Sequence, residues 1–358
     1  MLWDIFCKVI DNHGDIGVCW RLSAQLAARG EQVRLWADDP SALAWMAPEG
    51  SPGVQVLAWE AVAGDVPPAD VVIEAFGCEL PHHFQGAMAA RARSTGRQAV
   101  WINLEYLTAE HFGTRNHGLP SPVLAGAGAG LTKYFFYPGF TQGTGGLLRE
   151  EDLPQRRAEF HAISWLHNLG IPADAESTRV SLFCYEPALL TGLLQQFAAG
   201  PGRTRLLVTA GRAAAAVRAA IEAQNGTRAS WNRQGLLSIS WLPLLSQRDF
   251  DHLLWASDLN FVRGEESLVR ALWAGKPLVW HIYPQQDAAH HAKLSAFLDW
   301  LQAPSSLREF HEGWNGMVGR LPELDLDGWS AALNEGRRRL LQQDDLVSQL
   351  VRFTRRRP

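Results

Sequence analysis

Short apolar runs alternate along this chain with longer stretches whose apolar positions recur at helical spacing. Residues 3–10 read as a strand. In residues 16–29, Ile16, Trp20, Ser23, Leu26 and Ala27 recur at helical spacing, and Gly30 ends the pattern. Residues 32–37, 71–75 and 98–103 read as further strands. After a Gly- and Pro-rich region at 113–146 and a polar, proline-punctuated stretch at 149–177, the alternation restarts. Strands are predicted at 179–185, 204–209, 236–242, 259–262 and 277–281. Helices are predicted at 188–198, 213–224, 247–256 and 267–274, with Gly275 as a stop. Alternating β and α elements of these lengths predict two mostly parallel, doubly wound α/β domains. We place the first domain at residues 1–155 and the second at 156–330. A helical end, 331–358, is expected to pack back on the first domain. In this architecture ligands lie at the carboxyl ends of the strands, in a cleft between two Rossmann-like domains.

The 358 residues suffice for two cores, and 47% hydrophobic with 20% charged residues is globular. A net charge of −4 gives no support to nonspecific nucleic-acid binding. The basic runs 337–339 and 355–357 are short and read as solvated helix ends. Cys7, Cys19, Cys78 and Cys184 form no CxxC pair and stand in apolar surroundings, as reduced buried thiols of a cytoplasmic protein. No basic segment with an apolar stretch precedes the first strand, so no signal peptide is expected. No run reaches the about 18 uncharged apolar residues of a membrane span. The fifteen tryptophans read mostly as core or interface residues.

Two loops carry candidate chemistry. The first, 11–17, follows the first strand and reads Asp-Asn-His-Gly-Asp-Ile-Gly. It is neither a dinucleotide fingerprint nor a P-loop. Helix capping by Asn12 or an Asp accounts for it equally well; the functional reading makes Asp15 a base or orienting carboxylate. Gly14 and Gly17 would then let a substrate approach the backbone. The second loop, Arg263-Gly264-Glu265-Glu266-Ser267, is a strand-to-helix turn. Helix N–H groups and a planar guanidinium favour an anion such as a diphosphate. Carboxylates beside an anion grip point to group transfer from a nucleotide-activated donor. Phe183 and Tyr185 alternate in one strand and either fill core or flank a ring. Gln247 and Phe250 follow a strand and can meet a nucleobase. Tyr283 to Asp287 lies on the same rim. The adjacent pairs His82–His83 and His290–His291 lack the spacing of a metal site, and no nucleophile elbow occurs.

These residues also resemble a known family. The 11–18 loop with Trp20-Arg21-Leu22, the run 101–107, Phe135 to Thr141 with Gly145-Gly146-Leu147, 261–267 and 280–285 are similar to the EarP family of protein-arginine rhamnosyltransferases. The motifs extend over nearly the full chain. The resemblance implies a GT-B glycosyltransferase fold and an inverting, metal-independent enzyme. It implies dTDP-β-L-rhamnose as donor and an arginine of elongation factor P as acceptor. It further implies that Asp15 is the general base and Glu265 a second essential carboxylate. Arg263, Gly264, Glu266 and Ser267 would hold the diphosphate and nearby sugar, with Asn12, Gly14 and Gly17 on the donor side. Phe183, Tyr185, Gln247 and Phe250 would surround the thymidine. His13 stands where Tyr or Phe is usual in this family, and Glu266 where Asp is usual. Whether Glu265 serves the sugar or the incoming arginine stays open, and Glu105 and Tyr106 are placed on the acceptor side. Two other readings are a GT-B enzyme with a different acceptor and a non-catalytic nucleotide-sugar binding protein.

Overall fold

The computed structural model describes residues 1–10, 13–62, 66–172, 174, 176–227, 231–285 and 287–357. Two compact units emerge: Met1–Glu150 with Leu340–Pro358, and Glu151–Arg339.

The first unit runs β1 (Leu2–Cys7), α1 (Gly14–Ala28), β2 (Gln32–Ala37), α2 (Leu43–Met46), β3 (Val54–Ala58), β4 (Val71–Ala75), α3 (His82–Thr95), β5 (Val100–Leu104), α4 (His111–Asn116), β6 (Pro120–Pro122) and β7 (Thr132–Phe136). Its sheet has the order β3-β2-β1-β4-β5-β7-β6, parallel except for the β6–β7 pair. Strand β1 shows why this sheet is buried on both faces. Trp3, Ile5 and Cys7 enter one core, and Phe6 enters the other with Trp36, Phe84 and Trp101. Asp4, fully buried in the same strand, is tolerated because its carboxylate is saturated. It accepts two bonds from Arg34 at 2.7 Å, one from Trp36 Nε1 at 2.8 Å and one from the Ala69 amide at 2.9 Å.

The second unit runs α5 (Leu153–Ala158), α6 (Ala162–Asn168), β8 (Thr178–Leu182), α7 (Leu190–Ala199), β9 (Thr204–Val208), α8 (Arg212–Thr227), β10 (Leu237–Trp241), α9 (Gln247–Ala256), β11 (Leu259–Arg263), α10 (Gly264–Ala274), β12 (Leu278–His281), α11 (Ala289–Leu301), α12 (Ser305–Trp314) and α13 (Leu326–Leu341). The five strands lie parallel in the order β10-β9-β8-β11-β12. The last helix, α14 (Leu346–Arg355), belongs to the first unit. Its Leu346, Val347 and Leu350 enter that unit's core, and Asp345 caps it while pairing with Arg29 at 2.9 Å.

Three expectations are corrected here. The boundary falls after Glu150 rather than after 155, and the chain returns at Leu340 rather than 331. Helix α13 stays with the second unit because Trp329 packs on Phe310 and hydrogen-bonds Ser306, while Arg339 stacks on Trp300. The 337–339 run is therefore not a solvated end: Arg337 is half-buried, Arg339 lies over the Trp300 ring, and Arg338 remains exposed. In the tail, Arg357 lies 3.7 Å over the Phe353 ring. The tryptophans are mainly core, with Trp3, Trp36, Trp280, Trp314 and Trp329 among the largest fully buried side chains. The four cysteines are free and buried.

Helix α10, which carries the Arg263 turn, is fixed by a buried ion pair. Arg270 donates to both Asp251 oxygens on α9, at 2.8 and 2.7 Å, with both residues almost fully buried. Removing the cation takes the bidentate partner from a buried carboxylate, which keeps Arg156 at 3.8 Å. Arg270→Met should destabilise the protein by about 3–5 kcal/mol, and pairing it with Asp251→Leu should recover most of that loss. Denaturant unfolding of the two variants measures both.

Burial pushes His117, His281 and His311 down to about 4. Each accepts a backbone N–H: His117 from Tyr137, His281 from Tyr185 and His311 from Trp280. Those bonds require the neutral ring. The folded-state values lie below the ordinary 6.5, so the unfolded chain takes up protons first. Stability from these groups is full above pH 6.5 and declines as pH falls from 6.5 toward 4. Unfolding midpoints measured across that window should drop steadily; a flat profile contradicts this assignment.

Candidate active site

The site of the second unit is built at the carboxyl ends of β8, β11 and β12. Arg263 ends β11 and is the N-cap of α10 with extended backbone. Its guanidinium lies 4.4 Å over the Phe183 ring and 4.8 Å over Tyr185. It donates to the Cys184 carbonyl at 3.2 Å. A cation held against two rings has lost much of its rotational freedom before any ligand arrives. Burial is the main force lowering the Arg263 pKa, and it pushes the Tyr185 hydroxyl up to about 12. Cys184 is likewise pushed up to about 12 by burial, so it is an inert thiol.

Phe183 and Tyr185 lie just beyond β8, which ends at Leu182, rather than inside the strand. One ladder bond continues, from Phe183 N to Phe261 O at 3.0 Å, and the chain then turns toward Arg263. The two rings still share a partner, because the same guanidinium covers both. Phe250, on α9, meets Phe183 edge-on with centroids 5.3 Å apart. Gln247 is buried as the first residue of that helix. Ser246 caps α9 by accepting from Asp249 N at 3.1 Å.

Gly264 opens α10 with φ +67, a left-handed conformation that β-carbon residues enter reluctantly. Its carbonyl accepts from Trp280 Nε1 at 2.7 Å. The first N–H groups of a helix have no intrahelical partner, and here they open beside the Arg263 cation. Glu265 and Glu266 occupy the first turn, partly buried. Glu265 pairs with Lys293 of α11. Ser267 is 2% exposed, and its hydroxyl donates to the Arg263 carbonyl. It therefore braces the turn with its proton instead of offering it to a ligand.

Two participants were not singled out in the sequence, and a third, Tyr283, was noted there only as part of a rim. Arg212 begins α8, lies 5.0 Å over Tyr185 and pairs with Glu186 at 2.5 Å. The turn Ala210-Gly211-Arg212 after an apolar run was the signal for it. Lys293 sits within an otherwise ordinary helix, and nothing in the sequence pattern marks its pairing with Glu265. Tyr283, on the rim already noted, packs edge-on against Tyr185 at 5.6 Å.

In the first unit, Asp15 stands in the first turn of α1, half-buried. The N-cap is His13, which makes no side-chain cap bond. Asp11 and Asn12 lie outside the described residues. A β-carbon on Gly14 would meet nothing within 4 Å, so the space over it is open. Gly17, in contrast, is buried, and its N–H closes the first helical turn on the His13 carbonyl at 3.0 Å. Gly14 is thus the glycine a ligand can approach, and Gly17 serves the helix. Among the described residues, no group of three or more His, Cys, Asp or Glu is placed to hold a metal ion. No helix among them is long and apolar enough to cross a membrane.

The Gly264 conformation yields a test. Space is not the obstacle, since an added Cβ would find only Tyr185 Oη at 3.6 Å. Gly264→Ala should cost about 1–2 kcal/mol from the backbone alone and weaken anion binding at this turn. Gly264→Asn should be milder, because Asn tolerates this region. Unfolding curves and nucleotide titration of the pair provide the measurement.

Comparison with known proteins agrees with this architecture. The family model described as Elongation-Factor P (EF-P) rhamnosyltransferase EarP matches residues 3–355. A protein-arginine rhamnosyltransferase of Pseudomonas aeruginosa is 42% identical over 381 aligned positions, covering 98% of both chains. One from Pseudomonas putida is 41% identical, covering 99% of this chain and 98% of its own. A solved structure described as the structural basis for EarP-mediated arginine glycosylation of translation elongation factor EF-P aligns with a TM-score of 0.64 at 30% identity, over 99% of each chain. MurG of Acinetobacter baumannii shares the fold alone, with a TM-score of 0.50 at 13% identity over 99% of each chain. The two parallel-sheet units are those of a GT-B glycosyltransferase. On a match that spans nearly its whole length, this chain belongs to the EarP family of protein-arginine rhamnosyltransferases.

Proposed function

We propose that this enzyme transfers L-rhamnose from dTDP-β-L-rhamnose, with inversion, to an arginine side chain of elongation factor P. It acts in the cytoplasm and uses no metal. The observation that carries this reading is the cradle at the head of α10, where Arg263 lies against Phe183 and Tyr185 in a chain of this family.

The chemistry follows from the groups present. The leaving dTDP takes up negative charge as the glycosidic C–O bond breaks. Arg263 and the α10 N-terminus meet that charge, a contribution of about 3–4 kcal/mol for a strong preorganised donor. Phe183, Phe250 and Gln247 surround the thymidine, and Gly264 lets the backbone come close to the diphosphate. Glu266 lies beside the sugar, and Ser267 braces the turn. The acceptor guanidinium stays protonated in water at any working pH and is a poor nucleophile while charged. Asp15 holds it and accepts a proton as the C–N bond forms at the anomeric carbon. Inversion requires attack on the face of the anomeric carbon opposite the leaving diphosphate. Glu265, held by Lys293, is the second carboxylate and meets the sugar or the incoming arginine.

Incubating the enzyme with elongation factor P and dTDP-β-L-rhamnose, then weighing the acceptor by mass spectrometry, tests the reaction. One deoxyhexose on one arginine is expected. Asp15→Asn should lower transfer roughly 10²–10⁴-fold while dTDP still binds. An unmodified acceptor with active wild-type enzyme and donor contradicts the reading.

A further inference from the structure

The first unit carries a second constellation that the reaction above does not use. Strand β1 is flanked by β2 on one side and β4 on the other, so the chain reverses direction across the sheet between β1 and β4. The carboxyl ends at such a reversal diverge into a crevice, the usual ligand position in open α/β sheets. The loop after β1 leads to Asp15. The segment after β4 begins with Phe76, and β5 ends just before Glu105 and Tyr106. Strand β5 lies two strands from β1, about 10 Å at the usual spacing.

Four observations converge there. Phe76 has φ 58, one of three described non-glycine residues with positive φ. Strain of this kind persists where the surroundings enforce it, and it concentrates at functional sites. The strained backbone presents a ring that stacks on Tyr106, centroids 4.9 Å apart and planes 24° from parallel. Tyr106 is 42% exposed, so the stacked pair forms a shelf open to solvent. Beside it, Asn103 donates from Nδ2 to Glu105 Oε1 at 2.8 Å. Asn103 is itself 6% exposed, and its Oδ1 is buried without a hydrogen-bond partner. An orphaned buried acceptor of this kind calls for a donor from elsewhere.

The local charge points the same way. Glu74 is buried, pairs with Lys133 at 2.5 Å and accepts from Trp101 Nε1 at 3.1 Å. Two carboxylates, Glu74 and Glu105, thus share one ammonium. Burial raises the pKa of both, against the lowering pull of the Lys133 ammonium. Acceptor oxygens and an aromatic shelf repel a nucleotide diphosphate. They suit a cation rich in N–H donors, which a guanidinium supplies through five N–H groups and a face that stacks on rings.

We infer that Asn103, Glu105, Phe76 and Tyr106 form a cation-recognition subsite for the arginine-bearing segment of the acceptor protein. The inference rests on the proposed arginine transfer and adds to it the surface that receives the acceptor. Asn103 Oδ1 and Glu105 accept from the basic side chain, and the Phe76–Tyr106 shelf covers its face. These are positioning groups; the proton transfer stays with Asp15.

The test compares the full-length enzyme with its Glu105→Gln and Tyr106→Ala variants, in steady-state transfer to elongation factor P at saturating dTDP-rhamnose. Each variant should raise the acceptor KM at least roughly tenfold, change kcat less than about threefold and leave dTDP affinity unaltered. Glu105→Asp, which keeps the charge, should recover part of the loss. Phe76→Gly removes the ring while relieving the left-handed backbone, so it provides a folded variant that should also raise the acceptor KM. Acceptor KM values equal to wild type in these variants would overturn the subsite. Should the wild type modify no elongation factor P, the proposed substrate falls, and the subsite is then read by titration with N-acetyl-argininamide. Binding to the wild type that is lost in Glu105→Gln supports it. Equal binding in both, or none to the wild type, overturns it.

Discussion

The Arg263 guanidinium, held over Phe183 and Tyr185 at the first turn of α10, is the contact on which the second unit's site depends. Everything near it serves to keep that cation in place without neutralising it. The Cys184 carbonyl takes one of its N–H groups, the rings take its face, and among the bonds described no carboxylate grips it. Nearby carboxylates have other partners: Glu186 goes to Arg212 and Glu265 to Lys293. A cation packed this way stays available to an anion, whereas one locked in a bidentate salt bridge would not. Gly264 supplies the left-handed turn that brings the helix N-terminus beside it, and Ser267 ties that turn closed.

The scaffold beneath is rigid for simple reasons. The buried Arg270–Asp251 pair locks α10 to α9, and neutral His281 and His311 accept backbone N–H groups around β12. In the first unit, the saturated Asp4 does the same at the centre of the sheet. In each case a polar group is buried with its hydrogen-bonding capacity met, so it specifies one packing arrangement instead of destabilising several. The group that breaks this pattern most informatively is Asn103, whose orphan oxygen lies at the carboxyl end of the first sheet.

Much of this was legible in the residues. Strands 32–37 and 71–75 and helix 247–256 match the observed elements residue for residue, because the strands are short, mostly apolar runs of a parallel sheet and α9 is strongly amphipathic. The Arg263 turn was legible because its chemistry is contiguous in sequence. What escaped was chemistry assembled across the fold. Lys293 reaches Glu265 from a helix 28 residues away, and Arg212 reaches Tyr185 from the first residue of α8. Helix α13 was assigned to the wrong unit because its pattern states that one face is buried, not against what. Phe183 and Tyr185 were read as strand because alternation does not reveal where pairing stops. The sequence also does not show that the Ser267 hydroxyl donates to the Arg263 carbonyl or that the Gly17 N–H closes a helical turn on the His13 carbonyl.

The central claim is that Arg263 recognises the diphosphate of a thymidine nucleotide. Calorimetric titration of the wild type and Arg263→Ala with dTDP, and separately with thymidine, tests it most directly. A charge-assisted bond of this kind contributes about 1.5–3 kcal/mol. The wild type should therefore bind dTDP much more tightly than thymidine. Arg263→Ala should lose roughly ten- to a hundredfold in dTDP affinity while its thymidine affinity changes little. Equal dTDP affinity in the two proteins, or equal losses for dTDP and thymidine, would contradict the account.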